Sequence, residues 1–417
     1  MQKNKPIEIF SNLKSRGKFA LDGILTLEDN SIFAVIEVTH FPFYDFDKKT
    51  RNQITEKINT ILFKKLSFPV ELLIRPVNLN IDKKIAIMNS ILTYNVNKTD
   101  KPKLIECLES FMKWFSAFGA KLTNSEVAYY LTVNYKGLNN EKGAACNDIL
   151  QKRIEFVISA LNTSGIKSKQ LTTAQIENVY KSFLSAHIYV KGTYYFAKEW
   201  IALYRKEAAN EDKNNAVYDE IIEQVNLLSN NQVLFDRLKM GNMLYRGIIV
   251  VANPEKIMPD FVNKIYQNID NVITSVNVSP ESVINVVHHL MHELSITEKE
   301  INSLALEGKI SGKGMVALEN RRNFLKEKIE KLMSEELMPF KLSLTFLVEE
   351  INDENLDYAS NSLMSSLRKL GFVLKFAVNY QKEAFLTILP SGANYLRRRE
   401  IIVANDLVST MFNFSKR

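Results

Sequence analysis

A glycine- and lysine-rich stretch, GKISGKG at residues 308–314, comes nearest in this sequence to a nucleotide-binding motif. A phosphate-binding loop needs GxxxxGK followed by Ser or Thr, placed between a strand and a helix. Here three residues separate Gly308 from Gly312, and Gly314 stands where the hydroxyl residue should be. The broken spacing predicts a turn between two helices and no bound cofactor. Because no phosphate loop precedes them, we expect Glu349 and Glu350 to be solvent-facing residues at a strand end.

Three of the five histidines lie in VVHHLMHE, residues 286–293. His288 and His292 are four residues apart, so on a helix they share a face at a spacing used for zinc. The zincin pattern needs glutamate directly after the first histidine, and position 289 is histidine instead. We therefore predict a half-exposed helix face without a metal. A metal-dependent hydrolase built on His288 and His292 is the weaker alternative.

Three consecutive arginines, Arg397, Arg398 and Arg399, form the densest basic run and precede an apolar Ile401–Val403. Such a run can bind phosphates or lipid headgroups, and it can equally be a solvated helix face or pair with an acidic neighbour. We count these arginines as candidate contact residues. No GxSxG, cysteine–histidine pair or carboxylate pair stands out, so we predict no catalytic residues.

A narrow leucine stripe is the second candidate contact surface. The spacing predicts a helix over residues 316–336, on which Leu318, Leu325, Ile329 and Leu332 share one face between charged neighbours. This pattern is typical of a helical hairpin or of a coiled-coil-like arm. Leu318, Leu325 and Leu332 are the residues of this arm that we select as candidate contacts.

Composition describes an ordinary globular chain of 417 residues, 46% hydrophobic and 24% charged. The net charge of +7 is compatible with an acidic partner but decides nothing alone. The only two cysteines, Cys107 and Cys146, argue for a reducing compartment. The start, MQKNKPIEIF, lacks the apolar core of a signal peptide, and no apolar run approaches the roughly 20 residues of a membrane helix. We expect a cytoplasmic protein, peripheral at the cytoplasmic face of a membrane.

Periodicity predicts an α+β fold with two small sheet-plus-helix modules. The first module reads as two strands around a turn at residues 28–30, a helix that Asp47 or Thr50 caps, and strands at residues 70–77 and 127–133. The second module begins with strands in YRGIIVVANPEKIMPDFVNKIYQNIDNVITSVNVSP and continues with helices at residues 281–294 and 297–306. Its strand and helix order is a distant echo of that in the first module, although the sequence shows no clean repeat.

The charged run RKEAANEDKNN at residues 205–215 predicts the boundary between the two modules. The predicted divisions are an N-terminal α+β module at 1–204, a charged connector and helix at 205–243, a second α+β module at 244–390 that carries the arm at about 281–337, and a C-terminal tail helix at 391–417.

The second module and the tail resemble the amino-terminal half of TraC-like, VirB-type conjugation ATPases of type IV secretion systems. The resemblance is carried by YRGIIVVANPEKIMPDFVNKIYQNIDNVITSVNVSP, by LSLTFLVEE, and by the passage from ENLDYASNSLMSS to NDLVSTMF. The opening SRGKFALDGILTLEDNSIFAVIEV and the strand entry FPVELLIRPVNLNI look like that family's first strands. In the family, a passage with Leu-Pro, a small-residue turn, basic residues and a short helix leads to the motor. Here Leu389, Pro390, Gly392, Asn394, Arg398 and Asn405 correspond to that passage.

The resemblance implies a role in docking rather than in catalysis. No phosphate loop occurs in the 417 residues, so the family's ATP hydrolysis cannot be assigned to any residue here. We expect a motor ATPase chain and inner-membrane secretion components as partners, with a second copy of the chain as a further partner. A nucleic-acid-binding module that uses the arginine run and the lysine-rich arm is the alternative.

Overall fold

The computed structural model has an α+β fold, as the sequence predicts. It describes residues 22–26, 31–39, 41, 43–77, 110, 126–137, 143–176, 179, 189–190, 193–194, 232–240, 243–254, 265–266, 271–306, 313–350, 352–396, 400–412 and 414. The sequence pattern also predicts helices at 84–92 and 102–118, and apart from residue 110 these segments lie outside the described residues. The connector at 205–215 and most of the GKISGKG stretch lie outside them as well.

The described strands and helices are named here in chain order. The strands are β1 (Leu25–Thr26), β2 (Ile32–Val38), β3 (Val70–Val77), β4 (Glu126–Tyr135), β5 (Ser168–Gln170), β6 (Tyr189–Val190), β7 (Thr193–Tyr194), β8 (Gln232–Val233), β9 (Leu238–Met240), β10 (Met243–Ala252), β11 (Val272–Pro280), β12 (Pro339–Glu350), β13 (Val373–Phe376) and β14 (Ile401–Ala404). The helices are α1 (Lys48–Ile61), α2 (Gly143–Thr163), α3 (Val283–Leu306), α4 (Lys313–Met333), α5 (Asp353–Lys369), α6 (Gln381–Ile388) and α7 (Asn405–Met411).

The first module forms an antiparallel sheet in the order β5–β2–β4–β3. Helix α1 connects β2 to β3, and α2 connects β4 to β5. Asp47 caps α1, because its side chain accepts a hydrogen bond of 2.8 Å from the backbone N–H of Thr50. Of the two caps that the sequence leaves open, Asp47 and Thr50, the structure thus has Asp47.

The second module repeats that order as β13–β10–β12–β11, again antiparallel throughout. Helix α5 connects β12 to β13 in the place that α2 takes in the first module, and α3 and α4 are inserted between β11 and β12. Within each module, the last of the four strands in chain order lies beside the first, and the second strand lies at the far edge. This strand order is the ferredoxin-like arrangement. The topological repeat agrees with the echo that the sequence indicates.

The two modules share one continuous sheet, because β3 pairs with β11. Each strand is the edge of its own module, and the antiparallel register runs from Val70 opposite Val278 to Ile74 opposite Thr274. Pairing satisfies the backbone groups of two edges that would otherwise be exposed. Both predicted modules are present, and this seam joins them.

Alternating residues divide the sheet into two apolar faces. The first face is the larger core, where β2 and β3 supply Ile36 and Leu72 and helices α1, α2, α5 and α7 pack. The second face uses the residues between them, such as Phe33 and Leu73, and is covered by α6 with Phe385 and Ile388 and by the segment around Ile176.

Helix α3 is continuous from Val283 to Leu306, so the predicted division into two helices at residues 295–296 is wrong. Thr297 lies where the second helix was expected to begin, and it is buried in the helix instead. Its hydroxyl donates 3.0 Å to the carbonyl oxygen of Glu293 one turn earlier, so it has no need to cap a new helix. Among the helices that the structure describes, none combines the length and the apolar character needed to cross a membrane.

Candidate functional site

Helices α3 and α4 form the predicted arm as a two-helix hairpin with its own small core. Leu325 and Leu332 on α4 are 3% and 1% exposed and pack against Val286 and Leu290 of α3. Leu318 is half-buried. Burying a leucine side chain contributes about 1.5–3 kcal/mol. The stripe that the sequence selects as a contact surface therefore holds the hairpin together at Leu325 and Leu332.

The outward side of the arm carries further apolar residues, which adjoin the hairpin core at Leu294 and Ile329. Met291 of α3 and Met333 of α4 are 46% and 65% exposed, and with Leu294 and Ile329 they line an open groove of about 520 Å³, bordered by Lys326 and Glu330. We call this the arm groove. The other exposed apolar side chains of the arm are Ile284, Ile296, Leu306, Val316 and Phe324. Exposed apolar residues gathered on one element are typical of a contact surface.

Three positively charged residues of the arm pair with glutamates across and along its helices. Lys326 is 3.0 Å from Glu298, Arg321 is 3.8 Å from Glu293, and Lys331 contacts Glu327 at 2.5 Å. Each of these positive charges already has an acidic neighbour. Such exposed pairs contribute little to stability, but they lower the net positive field that the arm presents to a nucleic acid.

The histidines of α3 lie on its exposed side. His288 and His292 are solvent-exposed, and His289 contacts Glu293 at 3.4 Å. No group of three metal-ligating side chains occurs in the residues that the structure describes. Gly314 lies within the first turn of α4, and residues 308–312 fall outside the described residues, as do Arg397, Arg398 and Arg399.

The C-terminal segment is hydrogen bonded to the second face of the sheet at the seam between the modules. We call residues 389–412 the tail strap. Glu71 of β3 is fully buried, and its carboxyl Oε2 accepts a 2.9 Å hydrogen bond from the backbone N–H of Gly392. Its Oε1 lies 2.7 Å from the Oγ of Ser275 on β11, and that hydroxyl oxygen also accepts a hydrogen bond from Asn277. One carboxyl thus connects both modules to the strap.

Burial raises the pKa of Glu71 to about 8, and the hydrogen bonds from Ser275, Gly392 and Asn277 oppose that rise. Glu71 is therefore protonated at neutral pH. The Ser275 hydroxyl donates a 2.7 Å hydrogen bond to Oε1, and the backbone N–H of Gly392 donates to Oε2.

Gly392 fits this position because its backbone φ is +66°, in the left-handed region that favours glycine. Its carbonyl oxygen accepts a hydrogen bond from Asn134 Nδ2 of β4. A Cβ at this position would lie 3.1 Å from Asn134 Nδ2 and 3.2 Å from Thr132 Cγ2. The small-residue turn is thus held directly by Asn134 and Glu71 of the first module, and Glu71 connects it to Ser275 of the second.

From this turn the strap continues to the opposite face of the sheet. Strand β14 pairs with the start of β12, and α7 then packs into the first core through Val408, Met411 and Phe412. Phe412 contacts Phe63 edge to face at 4.9 Å between ring centroids. The strap is therefore anchored on both faces of the sheet.

A polar cleft opens beside the strap where the two modules meet. We call it the junction cleft. Its volume is about 480 Å³, and its walls come from the first module, the second module and the strap. Its polar lining residues include Asn134, Arg153, Asn277, Lys341, Asn394 and Glu400.

Glu349 is half-buried, which corrects the expectation that it faces solvent. Burial raises its pKa, and the nearby Arg75 lowers it. The same surroundings raise the pKa of the buried Tyr245 hydroxyl, first through burial and then through Glu349. Glu350 is also half-buried, with Oε1 accepting 3.2 Å from Asn271. Strand β10 pairs with the end of β12 and shields these residues. The local sequence at the end of β12 does not reveal that neighbouring strand.

Glu71 and Arg153 are not among the site residues predicted from the sequence. Glu71 had a visible signal, because it is the one carboxylate in the apolar run VELLI at residues 70–74. Arg153 had no such signal, since QKRIEF at residues 151–156 is typical of an ordinary amphipathic helix.

No protein-family model matches the chain, and no curated protein matches it closely enough to be called a relative.

Proposed function

We propose that this chain is a non-catalytic, TraC-like component of a type IV secretion or conjugative transfer apparatus. It docks a motor ATPase carried by another chain to the inner-membrane complex, at the cytoplasmic face of the membrane. The feature that carries this proposal is the arm, a separate hairpin inserted between two central strands of the sheet that exposes Met291 and Met333 in an apolar groove.

The arm suits docking because its stability does not depend on the exposed residues. Leu325, Ile329 and Leu332 fill the interior of the hairpin with Val286 and Leu290. The exposed methionines on its outward side are therefore available to a partner. Methionine is unbranched and polarisable, and it adapts to irregular apolar surfaces.

The tail strap supports the same role. Residues 389–405 correspond, in the proposed resemblance, to the family's passage toward the motor. Here Gly392 of that passage is hydrogen bonded to Glu71 and Asn134, and Glu71 connects it to Ser275 of the second module. A force applied to the strap is thereby distributed over the whole sheet. The 417 residues contain no GxxxxGK[ST] loop, so the proposal assigns ATP hydrolysis to none of them.

The test is binding of the purified chain to the motor ATPase of the same transfer system, measured by biolayer interferometry. We expect saturable binding that the double variant Met291→Glu/Met333→Glu weakens at least about tenfold, because charges enter an apolar contact. Tyr358→Glu is the matched control, since Tyr358 is 79% exposed on α5, outside the arm.

Two results would overturn this function. One is a wild-type chain that binds neither the motor nor the inner-membrane components. The other is ATP hydrolysis by the purified chain that persists after contaminating ATPases are removed. Equal binding of the double variant and the wild type would reject the arm groove as the docking surface.

The rival is a nucleic-acid-binding module, with which the net charge of +7 is compatible. The pairing of Arg321, Lys326 and Lys331 with glutamates weighs against the arm as its phosphate-binding surface. Fluorescence anisotropy with a labelled oligonucleotide separates the two functions. Binding whose affinity falls steeply as salt increases would support the rival, because phosphate contacts release counterions.

A further inference from the structure

Arg153 occupies an unusual position in the wall of the junction cleft. It lies on α2, is half-buried, and its guanidinium carbon is 4.9 Å from the ring centroid of Phe68 and 4.8 Å from that of Tyr135. One N–H donates 2.6 Å to the backbone carbonyl oxygen of Asn134. The two rings and the carbonyl fix the orientation of the guanidinium before any ligand arrives.

The charge of Arg153 has no carboxylate partner among the residues that the structure describes. Burial lowers the pKa of Arg153, with Tyr135 opposing the change, yet a guanidinium stays protonated in proteins. Of its five N–H donors, one is used by Asn134. A partly desolvated cation without an anion is costly, which is why such groups are normally paired.

The other charges of the cleft define what can enter it. Lys341 contacts Glu281, which raises the pKa of the lysine, and Glu400 adds a smaller effect of the same sign. Lys341 is thus already neutralised by acidic neighbours. Glu400 also accepts a 3.2 Å hydrogen bond from Asn394 Nδ2. A polyanion would be repelled by Glu281 and Glu400, whereas a single anionic group can reach Arg153.

We propose that the junction cleft binds one oxyanion, a phosphate or carboxylate group of a small ligand, with Arg153 as its main binding residue. The planar guanidinium presents parallel N–H donors that match two oxygens of such a group. Asn277 and Asn394 line the same cleft and add amide groups for the rest of the ligand. This site is independent of the docking role, since the arm groove shares no residue with it.

Isothermal titration calorimetry in a phosphate-free buffer tests the site with three probes: inorganic phosphate, adenosine monophosphate and N-acetylglutamate. The three probes distinguish a free phosphate, a phosphate monoester and a carboxylate as the source of the oxyanion. We expect saturable one-to-one binding of at least one probe. Arg153→Gln should weaken it about tenfold or more, because a hydrogen bond to a charged group is lost.

Two further variants make the outcome specific. Arg321→Gln is the matched control, an exposed arginine on the arm whose loss should leave the affinity unchanged. Arg153→Lys keeps the positive charge but loses the planar fork and its stacking on the two rings, so its affinity should fall between those of the wild type and Arg153→Gln. This variant also serves if Arg153→Gln fails to fold. Absence of saturable binding for all three probes, or equal affinity in the wild type and the folded Arg153 variants, would overturn the proposal.

Discussion

Asn59 and Asn405 are joined by a 2.7 Å hydrogen bond between side chains that lie 346 positions apart in the chain. Both residues are buried, Asn59 on α1 of the first module and Asn405 at the start of α7 in the tail strap. Asn405 Oδ1 also accepts a 2.7 Å hydrogen bond from the backbone N–H of Met338. The pair thus fixes the strap on the first face of the sheet, as Glu71 fixes it on the second.

Replacing Asn405 with alanine should destabilise the fold strongly. The substitution leaves the Met338 N–H and the Asn59 side-chain oxygen buried without this partner, and each such group costs about 1–3 kcal/mol. We expect a loss of about 2–4 kcal/mol in the free energy of unfolding, measured by urea denaturation. Asn361→Ala on the exposed side of α5 is the control, with an expected change within about 0.5 kcal/mol. Similar losses in both variants would contradict the role of the buried pair.

Gly392→Ala should destabilise the turn that Glu71 and Asn134 hold. The backbone φ of +66° is strained for a residue with a Cβ, and that atom would lie within 3.1–3.3 Å of Asn134 and Thr132. We expect a loss of about 1–3 kcal/mol in the free energy of unfolding. Hydrogen exchange should show faster opening of residues 389–396.

Gly314→Ala is the matched control for that substitution. Gly314 lies in the first turn of α4, its φ is not positive, and a Cβ added there would have no atom within 4 Å, so the methyl group meets open space. Alanine should stabilise the helix by up to about 1 kcal/mol. In thermal melts we expect the melting temperature to fall in Gly392→Ala and to rise in Gly314→Ala. A rise in both variants would show that the strap turn is not tightly held.

Glu71 should make the stability of the protein depend on pH in a direction unusual for a carboxyl group. Its folded pKa is about 8, against an ordinary value of 4.5. Between these values the unfolded chain loses the proton while the folded chain keeps it, so stability falls as pH rises and levels off above about 8. Across that window one carboxyl changes the free energy of unfolding by up to about 1.4 kcal/mol per pH unit.

Glu71→Gln isolates this effect, because the amide resembles the protonated carboxyl and does not titrate. Urea denaturation of both proteins from pH 5 to pH 9 measures it, and the other titrating groups cancel in the difference. We expect similar stabilities near pH 5 and a growing advantage of the variant toward pH 8. Stability curves that stay parallel over this range would show that Glu71 titrates normally.

The elements of the fold could be predicted well where the local pattern is strong. The strand at residues 70–77 and the capped helix after Asp47 were visible because β-branched runs and capping residues act over short distances. The seam between β3 and β11 could not be predicted from the sequence. It pairs segments about two hundred positions apart through backbone groups that every residue carries.

The candidate site was predicted less well than the fold. Glu71 and Arg153 acquire their properties from neighbours that the fold brings to them, Gly392 and Ser275 for the first and the rings of Phe68 and Tyr135 for the second. The arm stripe was recognised from its spacing, but spacing alone does not tell an interface inside a hairpin from one with another protein.

Substitutions at Leu325 and at its neighbour Phe324 test whether the arm stripe is an interface inside the hairpin or one with another protein. Leu325 is 3% exposed in the hairpin interior, whereas Phe324 is 47% exposed on the outside of α4. Leu325→Ala should lower the free energy of unfolding by about 2–4 kcal/mol through loss of burial and creation of a cavity, and should speed hydrogen exchange in both α3 and α4. Phe324→Ala should change stability by less than about 1 kcal/mol, because its ring is half in water already. If Leu325→Ala left hydrogen exchange in α3 unchanged, the hairpin would not be held together by this stripe.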